Sequence, residues 1–137
     1  MTARSFLDSN VLIYTDDGDV PEKQAVAMEL VERCRSQQAG VVSTQILQEY
    51  FSITTKKLRV PVEIARRKTV VFSSLSVVSI RAEDVLAAID LHRLHQFSFW
   101  DALVVRAALQ SDCSVLYSED LQHGRRINGL EIVNPFR

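Results

Sequence analysis

The sequence predicts an α/β fold, a three-layer sandwich in which a short, mostly parallel sheet carries helices on both faces. Three observations predict it. Short apolar runs of strand length alternate with longer segments of helical period, the pattern of βαβ units. Only four glycines and three prolines punctuate 137 residues, so most of the chain is regular structure. No repeat, low-complexity run or linker divides it, so residues 1–137 read as a single domain, long enough to bury a core.

The elements follow in order. "RSFLDS" (residues 4–9) is a short buried strand ending near Asp8. Residues 20–40 form an amphipathic helix, with Asp19 as N-cap, Pro21 in the first turn and Gly40 as the stop. "VVST" (41–44) is the second strand, with Ser43 or Thr44 capping the next helix, 45–58. That helix sets Ile46, Leu47, Tyr50, Phe51, Thr54 and Leu58 on one face. Pro61 opens a helix from Val62 to about Ser73, and "SVVSI" (76–80) is a strand. Helices at 81–96 and 99–112 precede a strand and loop at 113–120, and 129–136 supplies a last short strand.

Composition narrows the function. A hydrophobic fraction of 47% and a charged fraction of 24% are ordinary for a globular protein. No apolar run approaches the ~18 residues of a membrane span. "MTARSFLD" brings an aspartate before any signal-peptide core. The expectation is a cytoplasmic protein with no membrane contact. Cys34 and Cys113 form no C-x-x-C pair and read as reduced core residues. A net charge of −1 argues against a general DNA coat, but leaves room for basic patches. Lys56, Lys57, Arg59, Arg66, Arg67 and Lys68 crowd one stretch, and Arg125–Arg126 make a second cluster. Alone, both read as solvated faces.

In parallel sheets, sites form outside the carboxyl ends of the strands. Asp8 lies at that end of the first strand. Ser118 and Asp120 lie at the same end of the 113–117 strand. Asp101 sits in a helix apolar on nearly every side, where a carboxylate is costly unless bonded, paired or bound to metal. "Ser98-Phe-Trp-Asp101" matches a capping box, and this reading is compatible with a metal role, because a helix N-terminus favours the ionised acid. Glu49 alone is an ordinary surface glutamate beside a core stripe. Its helix, however, follows the second strand, near the same edge. Two like charges ~4 Å apart repel by roughly 4 kcal/mol at an effective dielectric of ~20, so four converging acids need a cation. Oxygen ligands select Mg²⁺ or Mn²⁺, which would activate water and stabilise charge on a phosphoryl group. A nucleic-acid substrate would further need basic residues at the rim, which makes Lys56, Lys57, Arg125 and Arg126 candidate contacts.

The stretches "FLDSNVLIY", "STQILQEYF", "FSFWDALVV" and "LYSEDLQHG" stand in order along essentially the whole chain. Together they resemble the PIN domain, and more narrowly the VapC-type toxins of bacterial toxin–antitoxin pairs. The resemblance implies a PIN-like parallel α/β/α sandwich and a metal-dependent endoribonuclease. It implies Asp8, Glu49, Asp101 and Asp120 as the catalytic, metal-holding acids, with Asp8 and Asp101 the principal Mg²⁺ ligands. Asn10 and Ser118 would orient ligands or waters. Metal-activated water would attack RNA and leave a 3′-hydroxyl and a 5′-phosphate. A homodimer is implied, and so is a small antitoxin whose C-terminal segment lies across the acidic groove, often delivering an arginine. Glu119 competes with Asp120 for its role, although the serine-x-aspartate order favours Asp120. The family often has threonine where this chain has Ser118.

Two rival readings compete with this one. "DSNVL" also resembles the D-x-D-x-[TV] motif of aspartate-nucleophile phosphatases, but Asn10 replaces that family's general acid. A PIN-like scaffold that only binds RNA or a partner is the second, and the intact acidic set argues against it. His92 and His95, spaced i, i+3, lack an obvious third metal ligand and read as a surface or partly buried pair. His123 in "QHGRR" reads as structural rather than as a phosphate contact. Asp16, Asp17 and Asp19 read as a turn and helix cap.

Overall fold

The structure, a computed structural model, describes residues 3–137. Residues 1–2 of the domain read over 1–137 lie outside the described residues. The strands are β1 (Ser5–Leu7), β2 (Gly40–Ser43), β3 (Ser76–Val78), β4 (Val115–Tyr117), β5 (Arg126–Ile127) and β6 (Leu130–Val133). The helices are α1 (Ser9–Tyr14), α2 (Pro21–Ser36), α3 (Thr44–Lys56), α4 (Val62–Phe72), α5 (Ala82–His95) and α6 (Phe99–Gln110).

The six strands form one sheet in the order β3-β2-β1-β4-β6-β5. Four of the five pairings are parallel, and only β5 with β6 is antiparallel. The expected α/β architecture with a mostly parallel sheet is therefore what forms. The strands are short, and the central ones are buried through. Phe6, Leu7, Val41, Val42, Leu116 and Ile132 have no exposed surface, as a sheet covered on both faces requires. From β1 the chain winds outward through β2 and β3, then returns to β4 on the other side of β1. The reversal places a crevice between the carboxyl ends of β1 and β4, where ligands of open α/β sheets bind.

Several local expectations are corrected. The strand ends near Asp8 as expected, but the chain then turns at once into α1, a helix not anticipated from sequence, capped by the Asp8 side chain. Six residues are too few to display a helical period. Asp19 does not cap α2. Val20 holds that position without a side-chain bond, and Pro21 begins the helix. The helix ends at Ser36 rather than at Gly40, and the chain escapes through Gln38 at φ 53°. Gly40 opens β2 instead. A Cβ there would lie 3.0 Å from both Cys34 Cβ and Leu75 Cδ2, so the glycine permits close packing. The last strand is half of a hairpin with β5, turned by Asn128 and Gly129 at φ 49° and 87°, the positive pair of a two-residue turn. Cys34 and Cys113 are buried free thiols, as expected. Among the described residues no helix is long and apolar enough to cross a membrane.

Candidate active site

Asp8 is the first residue beyond β1. Its N–H continues the ladder to Tyr117 O of β4 (3.0 Å), which fixes the carboxyl at the crevice. One oxygen, Oδ1, accepts from Ser9 N (2.8 Å) and the other, Oδ2, from Ser118 Oγ (2.7 Å). The residue is only 5% exposed. Burial pushes its carboxyl up to about 6, against the pull of the Ser118 and Ser9 bonds, and the charges of Glu49 and Asp120 add to the rise. Three acids thus share one electrostatic field.

Ser118 stands just past β4 and is fully buried. Besides donating to Asp8, its hydroxyl accepts from Asp120 N (3.2 Å). Asn10, in the first turn of α1, clips the same loop. Its amide nitrogen donates to Asp120 Oδ2 (3.2 Å) and its oxygen accepts from Glu119 N (3.2 Å). A donor on one side and a carboxylate on the other fix which way the amide faces. Asn10 therefore positions Asp120, which fits poorly with the general acid a phosphatase would need there. Glu119 is engaged elsewhere, with Lys23 Nζ and Tyr14 Oη each 2.6 Å from its carboxylate. Burial would raise its pKa, but those two partners outweigh it and hold the group below the usual range.

Asp101 is the third residue of α6, with its N–H capped by Ser98 Oγ at 3.1 Å. The capping serine was legible in the sequence, and the carboxylate lines the cleft. Glu49 lies in α3, where Gln45, one turn earlier, touches it through Nε2 (3.3 Å). The same Nε2 donates to Trp100 O (3.3 Å), so one amide ties the helix of Glu49 to the helix of Asp101. Asp8, Glu49, Asp101 and Asp120 all line one cleft of about 190 Å³. Gln45 and Trp100 form a wall, and Ser9, Ile53 and Val104 complete it. Neither Gln45 nor Trp100 was singled out from sequence. The only signal was position, one turn before Glu49 and one residue before Asp101.

The donors fit a hard divalent cation: every acid offers oxygen, and a cation would offset first the burial that makes Asp8 ionise reluctantly and then the charges of Glu49 and Asp120. Gln45 Oε1 is also buried with no hydrogen-bond partner at the edge of this set. Among the described residues no three His, Cys, Asp or Glu side chains already surround a common point, so closing a shell requires the carboxylates to draw in.

The basic candidates divide. Lys56 lies two turns beyond Glu49 on the same side of α3, and Lys57 follows; both are exposed. Arg125 Nη2 donates to His95 O (2.8 Å) with its guanidinium 4.2 Å from the Phe97 ring centre, a role inside the fold. Arg126 is exposed and sits 3.5 Å from Glu131. Lys68 bonds Thr15 Oγ1 and Asp16 Oδ1, both at 2.8 Å, and Tyr50 Oη donates to Asp16 Oδ2 (2.6 Å). Asp16 lies in the turn after α1, as expected, its N–H donating to Ile13 O (3.0 Å), and its carboxylate also joins this linking network, while Asp17 accepts from Asp19 N. The histidines have structural partners: His92 Nδ1 meets Phe97 O (2.5 Å), His95 packs near Phe97, and His123 Nδ1 accepts from Asn134 N (3.0 Å).

The chain matches the PIN domain family over residues 5–127. No curated protein matches the sequence. Among solved structures, a toxin–antitoxin complex from Klebsiella pneumoniae is similar at TM-score 0.68 and 17% identity, over 96% of this chain and 97% of that one. VapC20 of Mycobacterium tuberculosis, described as a sarcin–ricin loop cleaving toxin, is similar at TM-score 0.64 and 16% identity, over 85% and 89%. The DNA-bound VapBC of Salmonella typhimurium is similar at TM-score 0.64 and 19% identity, over 96% and 97%. At these identities the likeness shows the fold.

Proposed function

This chain belongs to the PIN domain family, and on that premise we propose that it is a Mg²⁺-dependent endoribonuclease, the toxin of a toxin–antitoxin pair. One observation carries the reading: four acids, from the junction of β1 with α1, from α3, from α6 and from the loop after β4, line a single cleft at the sheet's switch point. Asp8 and Asp101 would be the principal Mg²⁺ or Mn²⁺ ligands, with Glu49 and Asp120 completing the acidic set. Bound metal supplies an activated water and stabilises charge on the phosphodiester. The chain's own part is to orient donors. The Ser118 hydroxyl holds one Asp8 oxygen, Asn10 holds Asp120, and Gln45 steadies Glu49. Lys56 and Lys57, beyond Glu49 on α3, would meet RNA phosphate. Arg125 and Arg126 are weaker candidates, given their partners within the fold.

The expected products are a 3′-hydroxyl and a 5′-phosphate, from water attack on phosphorus. An antitoxin partner is proposed because similar structures were solved as toxin–antitoxin complexes. A cytoplasmic homodimer is the assembly proposed with it.

Cleavage of a folded RNA by wild type, Asp8→Asn and Asp101→Asn, alongside calorimetric Mg²⁺ titration, tests the reading. Wild type should bind Mg²⁺ and cleave until EDTA is added. Each variant should lose at least roughly a hundredfold in rate. Equal cleavage by all three, or no metal binding by wild type, would defeat it.

A further inference from the structure

We infer that Trp100 is a stacking platform for an unpaired base of the RNA, next to the phosphate that the acids address. The inference rests on the ribonuclease reading and adds a recognition element to it. Tryptophan is highly buried on average, yet Trp100 is 64% exposed. A lone exposed apolar side chain is ordinary on a protein surface. Trp100 differs because it lines the same cleft as Asp8, Glu49, Asp101 and Asp120.

Its backbone is held from two sides, and one ring packs against the indole. The Phe99 ring meets the indole edge-on, with centroids 5.2 Å apart. Gln45 Nε2 holds the Trp100 carbonyl, and Ser98 caps the turn that presents it. Both atoms facing Gln45 Nε2 are acceptors, so the amide cannot be turned the other way. That orientation leaves Gln45 Oε1 buried and without a partner, an unfavourable arrangement that the cleft wall nonetheless keeps.

The chemistry favours a nucleobase. The acids repel an anionic ligand, so phosphate requires the cation, but a neutral base on an indole face meets no such repulsion. The surroundings of the indole in the cleft are mostly polar. A protein segment docking there would find one flat aromatic instead of a continuous apolar surface. Stacking is open to any base, because each has a π-face, but only when the base is unpaired. The substrate would therefore be single-stranded or looped at this position.

Trp100 is the chain's one tryptophan, so its fluorescence reports on this position alone. The probe is a mixed-sequence single-stranded RNA 12-mer, titrated into wild-type protein with Ca²⁺ in place of Mg²⁺, a hard oxygen-seeking cation that keeps all four acids in use while cleavage is held back, with anisotropy of a labelled copy as an independent measure of binding. Single strands should quench the indole, and a duplex of the same sequence should quench far less. In otherwise wild-type protein, Trp100→Ala should raise KM roughly ten- to hundredfold with a smaller change in kcat, while Trp100→Phe stays within a few-fold of wild type. The melting temperature should hold in both variants, since the indole is exposed.

Binding by anisotropy without quenching, or an unchanged KM in Trp100→Ala, would overturn the platform and leave the nuclease reading standing. Quenching by a basic peptide but not by RNA would assign the surface to a protein partner instead. Absence of both RNA binding and cleavage would overturn both readings.

Discussion

The Asp8 carboxyl ends a strand, caps a helix and sits beside two other acids, all while 5% exposed. Its charge therefore has a cost in the metal-free protein. The rise from 3.8 to about 6 corresponds to about 3 kcal/mol when the group is ionised. The sign follows from linkage. The unfolded carboxyl ionises at lower pH than the folded one, so the penalty is absent below about pH 4 and complete above about pH 6. In EDTA, Asp8→Asn should melt above wild type at pH 7, although it does not cleave RNA. The gap should close on titration to pH 4. Thermal melts across that range check it, and a variant less stable than wild type at pH 7 would refute it. Ser118 offers a second test at the same atom. Ser118→Ala removes the bond to Asp8 Oδ2 and the acceptor for Asp120 N, and should weaken Mg²⁺ binding or cleavage about 10- to 100-fold. Calorimetry and initial rates measure it.

Two of the acids were legible because each breaks a local rule: Asp8 ends an apolar strand and Asp101 interrupts an apolar helix. Glu49 breaks none, and only its place in the fold distinguished it. Gln45 and Trp100 stayed hidden for a related reason. A polar residue one turn before an acid looks like surface, and an aromatic in an apolar helix looks like core. Which one faces the cleft is decided by packing between helices.

At the scale of elements, α5 and α6 are joined by a buried ion pair. Asp84 is the third residue of α5 and 2% exposed. It accepts from Arg81 N and from Arg106 Nε of α6, both at 2.9 Å. Burial would raise its carboxyl, but the two hydrogen bonds and the arginine charges prevail and hold it below the usual range. A depressed folded pKa stabilises above the unfolded value and is lost as pH falls through the folded one. Asp84→Ala should cost about 3 kcal/mol at neutral pH, near the low end for a broken buried pair because the Arg106 side chain is 25% exposed. The difference from wild type should shrink below about pH 4. Denaturant unfolding at pH 7 and pH 3 checks both statements. Gly40→Ala belongs at this scale too. The added methyl would crowd Cys34 Cβ on α2 and Leu75 before β3, for a cost of about 1–3 kcal/mol. Gly40 resembles a helix stop in sequence because glycine serves turns and close approaches alike. Helix α1 is invisible in sequence because six residues show no period. The Asn128–Gly129 hairpin was readable, but its first strand has only two residues.

For the whole molecule, a net charge of −1 conceals a strong separation. Four carboxylates share a cleft at the crevice between β1 and β4, and Lys56 and Lys57 lie along α3 from it. The arrangement is held by interlocks from distant parts of the chain: Asn10 to the loop after β4, Gln45 between α3 and α6, and Lys68 from α4 to Asp16 beyond α1. Only the folded chain assembles these acids, so a cation that binds them must stabilise the fold by mass action. At a hundredfold excess over Kd the gain is about 2.7 kcal/mol. For a domain of this size that is a rise in Tm of roughly 5–15 °C. The rise should follow the logarithm of Mg²⁺ concentration, and Mn²⁺ should produce it as well. In Asp101→Asn it should nearly vanish while the metal-free Tm stays close to wild type, because the Ser98 cap contacts the backbone N–H of residue 101 and survives the substitution. A wild-type Tm that does not respond to Mg²⁺ up to tens of millimolar would mean that the cleft does not hold the ion. An equal rise in Asp101→Asn would mean that the ion binds somewhere else.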